Sequence, residues 1–374
     1  MRTDLVVIYT PVGGGHKAAA LATAEAARHH GLSVEVLDLF DYAPGVVGKS
    51  YLTAHLAGQT AIPELYGSAY FAANHRNAMF DPIRRGFDHV AFAKLITRVR
   101  ELTPRAVIAT HHLPLVVLGR ARRTGWLGAP LVGVVTDYTS HACWAEPGVD
   151  AFCVACPEAR SELAAHGVPK GRISLTGIPV RASFGDIPSV REPARGERLR
   201  VLVTSGGFGV GPMRKIVRSF AGMSDMELTV VCGNAHRLVA QVQRDAERMG
   251  VRANVLGFER DMAARVAEAH VVVGKAGGLT VSEALTAGRP MVIVGAVPGN
   301  EQMNEERVVS AGAGYGAKPA HVGALVAWIR QSGQLEAMGA RARGLVLTRA
   351  ADRVLEVASR CVYENGRARV AVAA

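Results

Sequence analysis

Short runs of apolar residues recur along the chain, each closed by a glycine, a threonine or a charged residue, and most intervals between them carry helical spacing. In the first half the runs are Leu5–Thr10, Val34–Leu39, Ala106–Thr110, Leu131–Thr136, Ala151–Ala155 and Ile173–Thr176. In the second half they are Leu199–Thr204, Glu227–Cys232, Asn254–Leu256, Val271–Val273 and Met291–Val294. Runs this short and this continuously apolar read as parallel strands covered on both faces by helices. The pattern predicts an α/β protein whose two halves share one plan.

Two stretches depart from it. Between Phe184 and Arg198 the chain is rich in Pro, Gly and charge without apolar period, so residues 184–198 are expected to link a domain at 1–183 to one at 199–350. Between Gly45 and Arg100, Tyr51, Leu52, Leu56, Ile62, Leu65, Tyr66, Tyr70, Phe71, Met79, Phe80, Phe87 and Phe92 lie among Arg84, Arg85, Lys94, Arg98 and Arg100, a long aromatic and basic insertion. From Ala351, the residues Val354, Leu355, Ala358 and Val362 share one face of a final helix, so 351–374 is expected to be a docked helix and tail without a readable docking site.

Composition narrows the function. A chain of 374 residues exceeds one typical domain, and 49% hydrophobic residues suffice for two cores. With only 6% aromatics there is little to stack on bases, which sets nucleic acid aside. A net charge of +11 favours a phosphorylated ligand or an anionic membrane surface. No run reaches the roughly 18 apolar residues of a membrane span, and the first residues lead straight into a strand pattern, so neither a span nor a signal peptide is expected. Five cysteines are too few for a disulfide framework in a chain this long and fit a reducing cytoplasm.

Glycine-rich turns between strand and helix carry the candidate chemistry. The first, Pro11-Val12-Gly13-Gly14-Gly15-His16-Lys17-Ala18, would bring a ligand against bare amides at a helix N-terminus. The dipole there disfavours imidazolium, making His16 a candidate general base. With Asp38 ending the next strand, Gly13-x-Gly15-x-x-Ala18 also meets the loose dinucleotide fingerprint, so an NAD-dependent dehydrogenase is a rival. The second turn, Thr204-Ser205-Gly206-Gly207-Phe208-Gly209-Val210-Gly211-Pro212, suits a diphosphate. The third, Gly274-Lys275-Ala276-Gly277-Gly278-Leu279-Thr280-Val281-Ser282-Glu283, ends in a carboxylate able to take both hydroxyls of a ribose. Val297-Pro298-Gly299-Asn300-Glu301-Gln302-Met303-Asn304 gathers polar side chains suited to sugar hydroxyls.

Other motifs carry less. Gly45–Ser50 has the wrong spacing for a P-loop. Cys153 and Cys156 lie in an apolar strand without a second pair and read as packing. No HExxH and no acidic DxD-type cation site accompanies the thirteen histidines, so no metal site and no cofactor is expected.

The segments GGGHKAAA at 13–20, VVTDYTSHACWAEPGVDAF at 134–152, HGVPKGRISLTGIPVRASF at 166–184, VCGN at 231–234, LGFERDM at 256–262 and VVVGKAGGLTVSEALTAGRPMVIVGAVPGNEQMN at 271–304 resemble the monogalactosyldiacylglycerol synthase and processive diacylglycerol glucosyltransferase family, relatives of the glycosyltransferase that completes lipid II. The resemblance implies a GT-B fold, two Rossmann-like domains facing a cleft, and inverting transfer of glucose or galactose from a UDP-sugar to diacylglycerol or a related lipid. It implies a cytoplasmic protein peripherally bound to the inner face of the cell membrane, with the 45–100 insertion gripping lipid.

Carried over by motif, His16 would be the base, Phe258 would face uracil and Glu283 the ribose. Ser205, Gly206, Gly207 and Arg181 would hold the diphosphate, and Glu301, Gln302 and Asn304 the hexose. Gly14, Gly15, Lys275, Gly277, Gly278, Leu279 and Thr280 would line the donor loops, while Asp137 and His141 would orient His16 or bind the acceptor. The chain departs from the family at Gly299-Asn300-Glu301, where Gly-Gln-Glu is usual, and at His111-His112, where His-Pro is usual. A UDP-sugar-binding regulator and a UDP-sugar 2-epimerase on the same fold remain alternatives.

Overall fold

The computed structural model describes residues 3–45, 48, 50, 51, 53, 91–207, 209, 211–296 and 299–373. The chain divides into two compact units, one of Met1–Arg181 with Arg349–Ala374 and one of Ala182–Thr348.

In unit 1 the elements run β1 (Leu5–Tyr9), α1 (Gly14–His29), β2 (Val34–Asp38), α2 (Ala93–Leu102), β3 (Ala106–Ala109), α3 (His112–Arg123), β4 (Leu131–Val134), β5 (Ala151–Val154), α4 (Pro157–Ala165) and β6 (Ile173–Leu175). The six strands form one sheet in the order β2-β1-β3-β4-β5-β6, parallel throughout. Every residue of β1, β3, β4 and β5 is buried, as the unbroken apolar runs require when helices cover both faces.

Unit 2 repeats the plan with β7 (Leu199–Thr204), α5 (Met213–Arg218), β8 (Met226–Val231), α6 (His236–Arg248), β9 (Ala253–Leu256), α7 (Met262–Glu268), β10 (Val271–Gly274), α8 (Gly278–Thr286), β11 (Met291–Ile293), α9 (Asn300–Ser310), β12 (Gly314–Gly316), α10 (Val322–Ser332) and α11 (Leu335–Gly344). Its parallel order is β12-β11-β10-β7-β8-β9. All eleven expected strands are present within two residues of their expected ends, while β12 is an addition. Its sequence is Gly-Tyr-Gly, which carries no apolar run, and pairing with β11 makes it a strand.

Strand order also positions the site. Connections leave the first strand in opposite directions between β1 and β3 in unit 1, and between β7 and β10 in unit 2. At such a switch point the loops beyond the carboxyl ends diverge and open a crevice. The loops concerned carry His16 and Thr110 in unit 1, and Ser205–Gly207 and Lys275–Gly277 in unit 2.

One boundary expectation changes. Residues 184–198 belong to unit 2: Phe184, Ile187 and Val190 are buried, and the carbonyl of Pro188 accepts from Arg289 Nη1 at 2.8 Å. Prolines and charges in this strap satisfy local turns while its apolar residues face inward, a division that composition does not reveal.

The final helix, α12 (Ala350–Ala373), returns to unit 1. Val354, Leu355, Val357, Ala358 and Cys361 join Leu5, Val7, Ile108 and Val132 in one core. Asp352 meets His30 at 2.9 Å and Asn365 meets Arg122 at 2.9 Å.

Of the aromatic insertion, Leu52, Leu56, Ile62, Leu65, Tyr66, Tyr70, Phe71, Met79, Phe80, Arg84, Arg85 and Phe87 lie outside the described residues, so its lipid-gripping role gains no structural account. Its last part is core: Phe92 is buried and stacks on Phe40 at 6.4 Å, with Leu95, Ile96 and Val99 buried along α2. All five cysteines are free, and burial pushes the Cys153 thiol up to about 12. Among the described residues no helix is long and apolar enough to cross a membrane.

Candidate active site

In unit 1 the chain leaves β1, turns at Gly13 with φ 76°, and enters α1, whose third residue is His16. Its Nδ1 lies 2.8 Å from the carbonyl oxygen of Thr110 and 2.8 Å from Thr136 Oγ1, while Thr110 Oγ1 donates to the His16 carbonyl at 2.8 Å. A carbonyl oxygen only accepts, so Nδ1 carries a proton. Residues just beyond the ends of β3 and β4 thus fix the tautomer of a group at the start of α1.

Neither Thr110 nor Thr136 stands out in sequence, because a threonine ending a strand is common. Their positions beyond strand ends flanking the switch point are the signal that could have found them.

His111 is buried, caps α3 by accepting the Leu113 amide on Nδ1 at 3.1 Å, and packs edge-on against His16 with centroids 4.6 Å apart. His112 follows at 4.2 Å from His111, with Trp144 at 6.1 Å. The departure at His111-His112 therefore lies beside the candidate base.

Asp137 follows Thr136 and is half-buried. His141 is buried and accepts the Cys143 amide on Nδ1 at 3.1 Å, capping a short turn at 142–144. Glu162 secures the intervening loop through Thr139 Oγ1 at 2.8 Å and the Ser140 amide at 2.6 Å.

The dehydrogenase rival loses its acidic residue. Asp38 accepts the Phe40 amide at 2.9 Å and the Tyr9 hydroxyl. Burial raises the Asp38 carboxyl, and burial together with the Asp38 charge pushes Tyr9 up to about 12. A carboxylate engaged with its own turn and its neighbouring strand does not offer two oxygens to a ribose.

Arg181, the last residue of unit 1's first segment, pairs with Glu25 at 3.6 Å and borders a depression of about 440 Å³ lined also by Leu21, Arg28 and His29. Glu25 is nine residues beyond His16 on α1, about 13 Å along the axis. Within unit 1, Arg181 is thus partnered far from the base.

In unit 2, Gly206 turns with φ 70° and its amide donates to Thr204 Oγ1 at 3.2 Å. Ser205 is buried and its hydroxyl donates to the Val231 carbonyl at 3.1 Å, which ties the start of the diphosphate loop to β8. Phe258, beyond β9, is 58% exposed, a free aromatic face where the resemblance expects a base.

Gly277 precedes α8 as its N-cap, with Gly278, Leu279 and Thr280 in the first turn and Glu283 half-buried one turn on. Lys275 Nζ meets Glu301 Oε1 at 3.1 Å, and Glu301 sits in the first turn of α9. Gln302 is exposed and donates to Glu306 at 3.2 Å. Asn304 differs from expectation: it is fully buried, and its Nδ2 donates to the Ala276 carbonyl at 2.8 Å. Through this bond it supports the turn that carries Ala276. Phe208, Val210, Val297 and Pro298 lie outside the described residues.

The monogalactosyldiacylglycerol (MGDG) synthase family matches residues 16–180, and the glycosyltransferase family 28 C-terminal domain matches residues 201–329. Both matches are to glycosyltransferase families, and the chain is a glycosyltransferase. It is 25% identical over 308 residues to a processive diacylglycerol beta-glucosyltransferase of Bacillus cereus (strain AH187), across 80% of this chain and 78% of that one.

The fold is GT-B. Acinetobacter baumannii MurG superposes with a TM-score of 0.63 at 19% identity, over 96% of this chain and 99% of that one. The UDP-GlcNAc 2-epimerase from Neisseria meningitidis bound to UDP-GlcNAc superposes with a TM-score of 0.60 at 8% identity, over 96% and 100%. At these identities the superpositions speak for the fold alone. The first family match begins at His16 itself, and the second spans every donor-loop residue from Ser205 to Asn304.

Proposed function

We propose that this glycosyltransferase moves a hexose, glucose or galactose, from its UDP-sugar to diacylglycerol or a related lipid with inversion, forming a β-glycolipid. The observation that carries the reading is His16 at the start of α1, with Nδ1–H committed to the Thr110 carbonyl, which orients the ring for Nε2 to act as the base. Inversion needs one base to take the acceptor proton as the anomeric bond to the leaving phosphate breaks. In this reading unit 1 supplies the base and receives the acceptor. Unit 2 holds UDP through Phe258, Glu283 and the Ser205–Gly207 turn, and the hexose through Glu301 and Gln302. The leaving diphosphate is stabilised by backbone amides at helix N-termini without a metal ion.

The lipid acceptor draws on the name of the Bacillus cereus relative. The net charge of +11 supports work at an anionic membrane surface from the cytoplasmic side. UDP as carrier draws on the resemblance of the donor turns at 256–262 and 271–304 to the diacylglycerol glycosyltransferase family. Incubation with radiolabelled UDP-glucose or UDP-galactose and diacylglycerol vesicles should yield labelled glycolipid; no lipid product with either donor would end the proposal. UDP-sugar interconversion without acceptor would instead favour epimerase chemistry.

A further inference from the structure

The diphosphate turn of unit 2 is held between two attachments, and both lead to α6. At its near end the turn lies against the 232–235 segment that opens α6. Asn234 donates its amide to the Gly207 carbonyl at 3.1 Å. Gly209 and Gly233 have positive φ and no room for a side chain: a Cβ on Gly209 would overlap Ala235 Cβ and the Cys232 carbonyl, and one on Gly233 would overlap the Gly206 and Gly207 carbonyls. The backbones approach this closely only because both positions are glycine.

At its far end the turn runs into α5, a helix of six residues, too short to persist by its own hydrogen bonds. Asp245, buried on α6 with its side chain 4% exposed, grips it. Arg214 donates to Asp245 from Nε at 2.7 Å and from Nη2 at 3.2 Å, and Arg218 donates from Nη2 at 2.9 Å. The two arginines stand four residues apart on one face of α5, so a single carboxylate fixes its rotation as well as its position.

We propose that Asp245 is a positioning residue for the donor: without touching substrate, it clamps α5 through Arg214 and Arg218 and so holds the diphosphate turn in its binding conformation. The inference rests on the reading that this turn binds the UDP diphosphate. A buried carboxylate held by two charged donors specifies geometry more than it adds stability, which suits a turn whose glycines alone would leave it many conformations.

The test measures UDP affinity by calorimetry and donor KM and kcat by vesicle assay, for wild type, Asp245→Asn and Arg218→Gln, with circular dichroism as the folding control. The clamp predicts a donor KM and UDP Kd raised on the order of tenfold in Asp245→Asn, a smaller rise in Arg218→Gln, and kcat at saturating donor within about twofold of wild type. Should Asp245→Asn fail to fold, Arg218→Gln alone carries the test. A folded variant binding UDP as wild type does would overturn the clamp while leaving the donor reading intact. A wild-type protein that binds no UDP would remove the donor reading, and the clamp with it.

Discussion

Lys275, on the turn after β10, and Glu301, in the first turn of α9, meet at 3.1 Å, with side chains only 21% and 12% exposed. A half-buried pair joining the turn after β10 to the start of α9 holds the two in register, and leaving either charge alone is costly. Glu301→Gln and Lys275→Met should each raise donor KM on the order of tenfold. The double variant should be closer to either single one than to their sum, because both remove the same contact. Additive effects in the cycle would show that the two residues act independently.

His16→Ala should lower kcat by about 10²- to 10⁴-fold, the usual loss on removing a general base, with UDP affinity unchanged because the ring belongs to unit 1. Thr136→Val should cost far less, since the Thr110 carbonyl still fixes Nδ1–H. Steady-state kinetics beside UDP titration separates the two. Unaltered turnover in His16→Ala would dismiss it as the base.

His270 is 2% exposed and accepts the Arg200 amide on Nδ1 at 3.0 Å. Burial, and next the Arg200 charge, lower it from 6.5 to about 4. The unfolded chain therefore takes a proton that the folded chain refuses between these values. The resulting stability is fully present above pH about 6.5 and is lost as pH falls toward about 4, on the order of 3 kcal/mol. Urea melts of wild type and His270→Asn, which keeps an acceptor for the Arg200 amide, should show the wild-type midpoint falling more steeply across that window. Parallel pH profiles would refute this.

Arg289 is buried and donates to carbonyls of Val266, Ala269, Pro188, Ala287 and Ala267 at 2.7–3.2 Å, joining the ends of α7 and α8 to the 184–198 strap. A lysine cannot reproduce this fork. Arg289→Lys should cost roughly 2–4 kcal/mol, read as a lower thermal midpoint; a shift within error would show the carbonyls finding other partners.

Ending the chain at Thr348 should prevent unit 1 from folding, because α12 contributes Val354, Leu355, Val357, Ala358 and Cys361 to its core, about 1.5–3 kcal/mol for each large apolar side chain buried. Limited proteolysis should then leave a resistant fragment near 182–348 only. Protection of 1–181 equal to that in the full chain would contradict the docking.

The glycine turns and the place of His16 at a helix start were legible because they depend on local order: strand, glycine, helix. Thr110, Thr136 and Asp245 were not, since each acts on a residue between 27 and 120 positions away. Nor was the partner of Asn304 legible, a polar residue of α9 whose Nδ2 donates to the Ala276 carbonyl. Polarity marks a hydrogen-bonding group without saying whether its partner is ligand or backbone.

The sequence by itself determined two parallel α/β halves and the glycine turns between strand and helix, because apolar periodicity and glycine placement are local constraints that survive without knowledge of neighbours. Tertiary structure decided the rest. It made Gly314–Gly316 a strand by pairing, sent α12 back to unit 1, absorbed the strap at 184–198 into unit 2, and fixed the His16 tautomer through a carbonyl from another strand end. Each of these depends on which distant group lies opposite. Burial and hydrogen bonding are properties of such pairs, and a single residue's identity does not specify its partner.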